Sequence, residues 1–258
     1  GRGGAGKLQR EGEDVLVAAT GVIGQPLPIA PIESSITSLA SRLSHKGSGD
    51  GVKAMMTTDT MDKEIAVSFK LGDTTCKIGA IAKGSGMIHP NMGTMLCFAT
   101  TDCAIDQPLL QKTLSKIVAK TFNRITVDGD TSTNDTCFVL ANGQAENLPL
   151  QEGTADYDTF YQALYAVFEY EAKQIAGDGE GAGRLVTCTV EHAKTEEKAA
   201  QMAKAVVGYS RVKAAMFGAE ANWGRGHCAI GSSVASLYPK PIDVHILSSA
   251  ADTTGCKK

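Results

Sequence analysis

The residue of this chain best suited to nucleophilic catalysis is Thr94, which follows Gly93 at the end of a glycine-rich run. An apolar, strand-like run (95–99) comes next. This layout is typical of a chain that breaks before a threonine: the hydroxyl attacks the preceding carbonyl, and water hydrolyses the resulting ester to release a new N-terminal threonine. Because its α-amine titrates at about pH 8, that one residue would supply both nucleophile and base. On composition alone, a structural threonine in a loop is the alternative.

Two short segments could complete such a site. Thr20 ends the apolar run 14–20, which we predict to be a buried strand, and Gly21 follows it. A turn there can expose N–H groups that hold an oxyanion. An ordinary strand-to-loop turn is the more common explanation on local grounds. Thr57 lies in a run of three threonines and one aspartate (57–60), which could bind a polar ligand or form a side-chain-stabilised turn.

Two acidic loops lie further along the chain. Glu180 sits between two glycines, where a carboxylate could meet a cationic amine, although a solvated residue in a helix-terminal turn is the local alternative. The loop 128–135 superficially resembles a calcium loop, but it lacks the EF-hand ligand pattern. We predict that it braces the site, and that His89 is structural.

The elements that must position these residues follow from the apolar pattern. Gly72 and Asp73 separate two β-rich runs, 64–71 and 74–82, which predicts a hairpin. Further strands are predicted at 184–191 and 242–247. Helices are predicted from Pro31, from Asp106 and over 195–208. A long amphipathic helix is predicted from the apolar spacing of Phe160, Leu164, Val167, Phe168 and Ile175. Interspersed strands and helices predict a layered α/β or α+β domain.

Bulk composition excludes several classes of function. The 258 residues carry a net charge of −3 with dispersed charges and 5% aromatic residues, which argues against a nucleic-acid or membrane-surface partner. Seven cysteines without a CxxC pair predict neither a disulfide framework nor a metal site. No signal-peptide core or membrane span is predicted. Because the chain lacks an initiator Met, we interpret it as a fragment or a processed product.

Six segments, in this order, resemble the ornithine acetyltransferase family, a group of bifunctional glutamate N-acetyltransferases and amino-acid acetyltransferases. The segments are ATGVIG (19–24), MTTDT (56–60), KGSGMIHPNMGTML (83–96), ITVDGDTSTNDT (125–136), DGEGA (178–182) and NWGR (222–225). The resemblance covers about residues 14 to 247, and the matches at 83–96 and 125–136 are the most specific.

The resemblance implies an activity in arginine biosynthesis. The precursor would cut itself between Gly93 and Thr94, and Thr94 would then carry acetyl from N2-acetyl-L-ornithine to L-glutamate. No cofactor is implied, although some members accept acetyl-CoA as a co-substrate. Thr20 and Gly21 would form the oxyanion hole. Thr57, Lys83, Thr94 and Glu180 match the family's substrate contacts, with Lys83 facing a substrate carboxylate and Glu180 its amine.

The resemblance also implies a fold and an assembly. The fold is a layered αββα sandwich of the self-cleaving N-terminal-nucleophile type, with α and β chains assembled as a heterotetramer of two each. Residues 1–93 would be the C-terminal portion of the α chain, and residues 94–258 a β chain shortened at its C-terminus. The expected compartment is the cytoplasm, with a plastid or the mitochondrial matrix as the alternative.

The sequence departs from the family pattern at the residue before the nucleophile, where Gly93 replaces the usual alanine; we expect cleavage to survive this change. The family's C-terminal Asn and Thr have no match here. Two alternatives therefore stand beside the acetyltransferase: an amide hydrolase or aminopeptidase of the same self-cleaving type, and an inactive truncated relative.

Overall fold

A four-stranded sheet is the central element of the computed structural model, which describes residues 5–6, 8, 11–12, 15–89, 95–233, 242–248 and 251–254. Its strands lie in chain order: β1 (Lys63–Leu71), β2 (Thr74–Lys83), β3 (Leu96–Thr101) and β4 (Thr136–Ala141). The first three run antiparallel, and β4 pairs in parallel with β3. The helices are α1 (Ile29–Ser41), α2 (Ser48–Met55), α3 (Gln107–Val118), α4 (Ala155–Gly177), α5 (Glu196–Gly208), α6 (Ser210–Phe217) and α7 (Trp223–Gly231). A 3-10 turn (Phe122–Arg124) and a separate antiparallel pair, β5 (His245–Ser248) and β6 (Ala251–Thr254), complete the described elements. The predicted mixed α/β architecture is confirmed.

The predicted hairpin is confirmed as β1 and β2, with Leu71 paired to Thr74 across the turn. Gly72 adopts a φ of 55°, in the left-handed region that glycine enters at little cost. Because side chains alternate between the two faces of a strand, the register of this turn decides which face every later residue of β2 occupies.

One row of paired residues joins the ends of three neighbouring strands at the same edge of the sheet. Lys83, the last residue of β2, pairs with Leu96, the first of β3, and Leu96 pairs with Thr136, the first of β4. Since neighbouring strands lie about 4.8 Å apart, Lys83 and Thr136 flank the start of β3 on either side. The loops that leave these three strand ends therefore converge at this edge.

The long helix α4 packs against β1 and β2. All five apolar residues that predicted it are completely buried: Phe160, Leu164, Val167, Phe168 and Ile175. Thr154 caps its N-terminus by accepting a hydrogen bond from the Tyr157 amide at 3.2 Å.

In the part of the chain that the structure describes, no helix is both long and apolar enough to span a bilayer.

The predicted helix at 106 is also confirmed. Asp106 caps α3 by accepting from the Leu109 amide at 2.8 Å, and Pro108 lies in the first turn. The 3-10 turn then places Phe122 against Phe168 of α4, with ring centroids 5.3 Å apart. The helix predicted over 195–208 is α5, and Thr195 caps it.

Two predicted strands are wrong. Residues 15–20 and 184–191 have no regular structure, and none of their side chains is fully buried. A strand needs a neighbouring strand to pair with, and no described strand pairs with either segment. The helix predicted from Pro31 begins at Ile29 instead, and none of its residues is buried. The strand predicted over 242–247 is β5, which begins at His245, three residues later than predicted.

A carboxyl group that no described residue pairs with is enclosed between α4 and the sheet. Glu171 is fully buried, and within the described residues neither of its side-chain oxygens has a hydrogen-bond partner. Burial raises the pKa of this carboxyl to about 7; Lys63 opposes the rise and Glu64 adds to it. The folded chain therefore holds a proton on Glu171 that the unfolded chain releases near pH 4.5.

We expect Glu171→Gln to remove a pH dependence of stability. Because the folded-state pKa is raised, the stabilising proton is fully present below about pH 4.5 and is lost as the pH rises through about 7. The loss amounts to roughly 3 kcal/mol by pH 8. Thermal unfolding from pH 5 to 8 should therefore show that the Tm of the variant increases relative to the Tm of the parent protein as the pH rises. Glu169→Gln, which changes a solvent-accessible residue of the same helix, is the control, and parallel curves for parent and Glu171→Gln would refute the assignment.

Candidate functional site

A buried ion network lies beneath the candidate site. Lys63 Nζ lies 2.7 Å from Asp59 Oδ1 and 2.5 Å from Asp178 Oδ2, and all three side chains are shielded from solvent. Burial alone would raise the pKa of both carboxyl groups, but hydrogen bonds from Lys63 and from nearby donors lower it below the usual range. Both carboxylates therefore stay charged at neutral pH.

The two carboxylates of this network also hold backbone. Asp59 accepts hydrogen bonds from the Gly84 amide at 2.7 Å and from the Thr57 amide at 3.2 Å. Asp178 accepts from the Thr60 amide at 3.0 Å and from the Thr60 hydroxyl. Loops that are far apart in the sequence are thus fixed around one ammonium group.

The same network positions Glu180. The Ser85 hydroxyl donates to the Asp178 carbonyl at 2.7 Å, and the Glu180 amide donates to the Ser85 carbonyl at 2.9 Å. The Glu180 carboxyl lies over Gly86, because a Cβ built there would come within 2.7 Å of its Cδ atom. A side chain at position 86 would displace this exposed carboxylate.

Lys83 is the buried cation of the candidate site. Lys83 is the last residue of β2 and is only 2% exposed. Its amine forms neither an ion pair nor a hydrogen bond with the described residues. Burial lowers the pKa of this amine, while the fields of Asp59 and Asp135 oppose the shift. A buried amine that no described residue pairs with is suited to bind an anionic group of a ligand.

The loop 126–135 braces the chain on both sides of residues 90–94. On the N-terminal side, the Val127 amide donates to the Ile88 carbonyl at 2.6 Å, and the Ile88 amide donates to Asp128 at 3.0 Å. On the C-terminal side, the Met95 amide donates to Asp135 Oδ1 at 2.7 Å. Asp128 and Asp135 belong to the loop 128–135 that was predicted to brace the site, and both hold backbone amides next to residues 90–94. His89 also has a structural partner, since its Nδ1 lies 2.8 Å from the Thr126 hydroxyl.

The predicted oxyanion pair is connected to the same loop. The Asn134 side-chain amide donates to the Ala19 carbonyl at 2.8 Å, which ties the residue before Thr20 to the loop that holds Met95. Thr20 is half-buried and Gly21 is exposed. Neither residue belongs to a helix or a strand, and the Asn134 contact ties the segment that precedes them to the loop.

The structure thus brings most of the predicted residues to one edge of the sheet. The ion network holds Thr57, Glu180 and the Gly84 amide that follows Lys83, and Asn134 holds the carbonyl of Ala19, which precedes Thr20 and Gly21. Gly93 and Thr94 lie outside the described residues, so their predicted roles stay predictions, as does the proposed chain boundary between them.

Sequence reasoning missed the residues that organise this site. Asp59 and Asp178 lie within motifs that the sequence singled out, but their partner Lys63 gave no signal. Lys63 is separated from Asp178 by 115 positions, and an isolated lysine at the start of a strand is usually solvated. Asp135 was visible only as one of several acidic residues in a polar loop.

A cluster with metal-ligand atoms lies at the other end of β2 and β3. Cys76, Asp102 and Cys103 place their ligand atoms within 4.8 Å of one another. Asp102 already accepts a hydrogen bond from the Lys77 amide at 2.7 Å, and burial raises the pKa of the Cys103 thiol to about 12. The cluster is separate from the candidate site, because that site lies at the opposite ends of these strands.

Comparison with known proteins matches a family model described as the ArgJ family to residues 3–257. The chain is 46% identical over 250 residues to the arginine biosynthesis bifunctional protein ArgJ of Caldanaerobacter subterraneus subsp. tengcongensis, covering 97% of this chain and 62% of that protein. It is 50% identical over 228 residues to the protein of the same name from Symbiobacterium thermophilum, covering 88% of this chain and 57% of that protein. The chain thus spans about three fifths of the length of the curated relatives it matches.

A solved structure is also similar. The crystal structure of the arginine biosynthesis bifunctional protein argJ from Bacillus halodurans superposes with a TM-score of 0.56 at 51% sequence identity. The match covers 57% of this chain and 68% of that one.

Proposed function

Because this chain belongs to the ArgJ family, we propose that the protein transfers acetyl from N2-acetyl-L-ornithine to L-glutamate. The family predicted from the sequence motifs is confirmed. In the proposed reaction, the Thr94 hydroxyl attacks the acetyl carbonyl, the amide C–N bond breaks, and ornithine leaves with the hydroxyl proton. The amine of glutamate then attacks the acetyl ester and releases N-acetylglutamate, and Thr94 regains a proton.

One observation supports this proposal most directly: the candidate site offers a buried ammonium and a carboxylate at the same edge of the sheet. Lys83 is suited to a substrate carboxylate, and Glu180 to a substrate amine. Acetylornithine carries a carboxylate and a free side-chain amine, so these two groups complement it. The network of Asp59, Lys63 and Asp178 fixes the spacing between them.

Self-cleavage between Gly93 and Thr94 is part of the same proposal. The loop 126–135 holds the chain on both sides of this bond, as a strained acyl shift requires. Thr20 and Gly21 would stabilise the oxyanion in both reactions.

The remaining features of the proposal follow from family membership. We propose an αββα sandwich, a heterotetramer of two α and two β chains, and no bound cofactor, with acetyl-CoA as an alternative acetyl donor. The relatives named above are bacterial, which favours the cytoplasm as the compartment.

Acetyl transfer from labelled acetylornithine should depend on glutamate. We expect labelled N-acetylglutamate to form only when glutamate is present. Release of labelled acetate at the same rate with and without glutamate would instead establish the amide hydrolase. An intact mass equal to that of the unsplit chain, with no transfer, would establish the inactive relative.

Lys83→Met should lower kcat/KM for acetylornithine by roughly 10- to 150-fold, because it removes a charge-assisted contact worth about 1.5–3 kcal/mol. Lys77→Met, which changes an exposed lysine on the same strand, is the matched control. Steady-state kinetics with both variants test the assignment. Equal kcat/KM values for Lys83→Met and the parent protein would exclude Lys83 as a substrate contact.

A further inference from the structure

Asp135, the residue before β4, has one carboxylate oxygen that accepts a hydrogen bond and one that no described residue pairs with. Oδ1 accepts the hydrogen bond from the Met95 amide at 2.7 Å. Oδ2 is buried, and no described residue donates a hydrogen bond to it. Buried acceptors in folded proteins nearly always receive a hydrogen bond. We therefore expect Asp135 Oδ2 to have a donor that the described residues do not supply.

A bound water explains the free oxygen poorly. A cavity of about 20 Å³, large enough for one water, lies beside Asp135. Its surface is mostly apolar, although Asn123 and Thr136 line it together with Met95, Val118 and Phe122. A buried water needs two to four polar partners, and these residues expose little polar surface to the cavity.

The charged surroundings of Asp135 are simple. Burial raises the pKa of its carboxyl to about 6, and the hydrogen bond from Met95 and the field of Lys83 oppose that rise. Among the described residues, Lys83 is the charged group that acts on it, and Lys83 makes no ion pair of its own. Asp135 can therefore accept a hydrogen bond from a second donor, and that donor can be positively charged.

Covalent geometry identifies a donor within reach. The nitrogen of any residue and the amide nitrogen of the next residue are separated by three bonds, which keeps them within about 4 Å of each other at any ψ. A carboxylate that holds the second nitrogen through one oxygen can thus accept a hydrogen bond from the first through its other oxygen. The residue before Met95 is Thr94, whose nitrogen becomes a free α-amine once the chain is cut.

We propose that Asp135 is the positioning residue for the α-amino group that self-cleavage creates at Thr94, with Oδ1 on the Met95 amide and Oδ2 on the amine. This inference rests on the proposed function. During acyl transfer, the amine takes the hydroxyl proton as the Thr94 oxygen attacks, and Asp135 stabilises the ammonium that forms. The proton then passes to the departing ornithine amine, which returns the Thr94 amine to its neutral form.

The test compares Asp135→Asn with the parent protein. The asparagine side-chain oxygen can still accept from the Met95 amide, so the variant removes the charge and keeps that hydrogen bond. Asp130→Asn, an exposed change in the same loop, is the control. Intact mass first shows whether each protein is split, because the precursor has no free amine at Thr94 and we expect Asp135→Asn to split like the parent.

Two measurements follow on the split proteins. The first is the rate at which cyanate carbamylates the Thr94 α-amine as a function of pH, which reports the pKa of that amine without requiring activity. The second is the pH profile of kcat for glutamate-dependent acetyl transfer. We expect Asp135→Asn to lower the pKa of the Thr94 amine by about one unit, because the amine loses a stabilising carboxylate. The acidic limb of the pH profile of kcat should shift to lower pH by the same amount. The maximal kcat should fall 10- to 100-fold.

The outcomes separate this inference from the proposed function. An unchanged amine pKa in Asp135→Asn overturns the inference, and so does failure of that variant to split, which would place the role of Asp135 before cleavage. A parent protein that splits and shows the pKa difference, yet transfers no acetyl to glutamate, supports the inference and refutes the acetyltransferase. A parent protein that never splits refutes both.

Discussion

Thr94→Ala is expected to yield an unsplit chain with acetyl transfer reduced at least about a thousandfold. Alanine lacks the hydroxyl that would attack the preceding carbonyl, so the chain cannot cut itself and no new N-terminal amine appears. The same hydroxyl would carry the acetyl group, so both steps fail together. Removal of a catalytic nucleophile in comparable enzymes lowers kcat by factors of this size or more.

Intact mass and the glutamate-dependent assay measure the two losses separately. Thr94→Ser keeps a hydroxyl, and we expect it to split and to transfer acetyl, although more slowly. Thr100→Ala changes an exposed threonine of β3 and should behave like the parent protein. Transfer retained in Thr94→Ala would move the nucleophile to another residue.

Lys63→Met is expected to destabilise the protein by about 3–5 kcal/mol, the usual cost of removing one partner from a buried ion pair. Methionine fills a similar volume but leaves Asp59 and Asp178 as two buried carboxylates without their cation. Their mutual repulsion should also release the Gly84 and Thr57 amides that Asp59 holds. Acetyl transfer should therefore fall together with stability.

The pH dependence gives this prediction a distinct signature. In the parent protein both carboxyl groups have a depressed pKa, so their contribution to stability is present above their ordinary pKa and is lost as the pH falls through the folded-state value. Without Lys63 their pKa should rise, so the deficit of the variant should be largest at neutral pH and should shrink toward pH 4.

Thermal unfolding across this pH range measures the effect, with a fall in Tm of about 10 °C expected at pH 7. Lys70→Met, an exposed lysine of the same strand, is the control. Combining Lys63→Met with Asp59→Asn and Asp178→Asn should recover part of the lost stability, because it removes the unpaired charges. A Lys63→Met protein as stable as the parent at pH 7 would show that the network contributes little.

Local signals predicted the central elements of the fold. The turn at Gly72 and Asp73, the cap at Asp106 and the apolar spacing from Phe160 to Ile175 each act within a few residues. Such features appear directly in the sequence, and the structure agrees with them. Residues 15–20 and 184–191 have equally apolar patterns, but a strand also requires a neighbour, which a local pattern does not specify.

The candidate site was predictable only in part, for the same reason. Lys83, Thr57 and Glu180 were identified because they lie in motifs that match a family. What holds them together is a lysine on one strand and an aspartate after a distant helix, and no local pattern links Lys63 to Asp178. The free oxygen of Asp135 depends on burial, which is decided by how β3 and β4 pair.

The 115 positions between Lys63 and Asp178 have a consequence for the order in which the chain folds. Closing so long a loop costs more conformational entropy than forming the hairpin, so this contact should form late. It also requires α4 to dock on the sheet first, since Asp178 directly follows that helix. The loops around the bond before Thr94 would therefore become fixed only in a chain that has completed its fold. Self-cleavage would then serve as a record of successful folding, and chains that misfold would remain uncut.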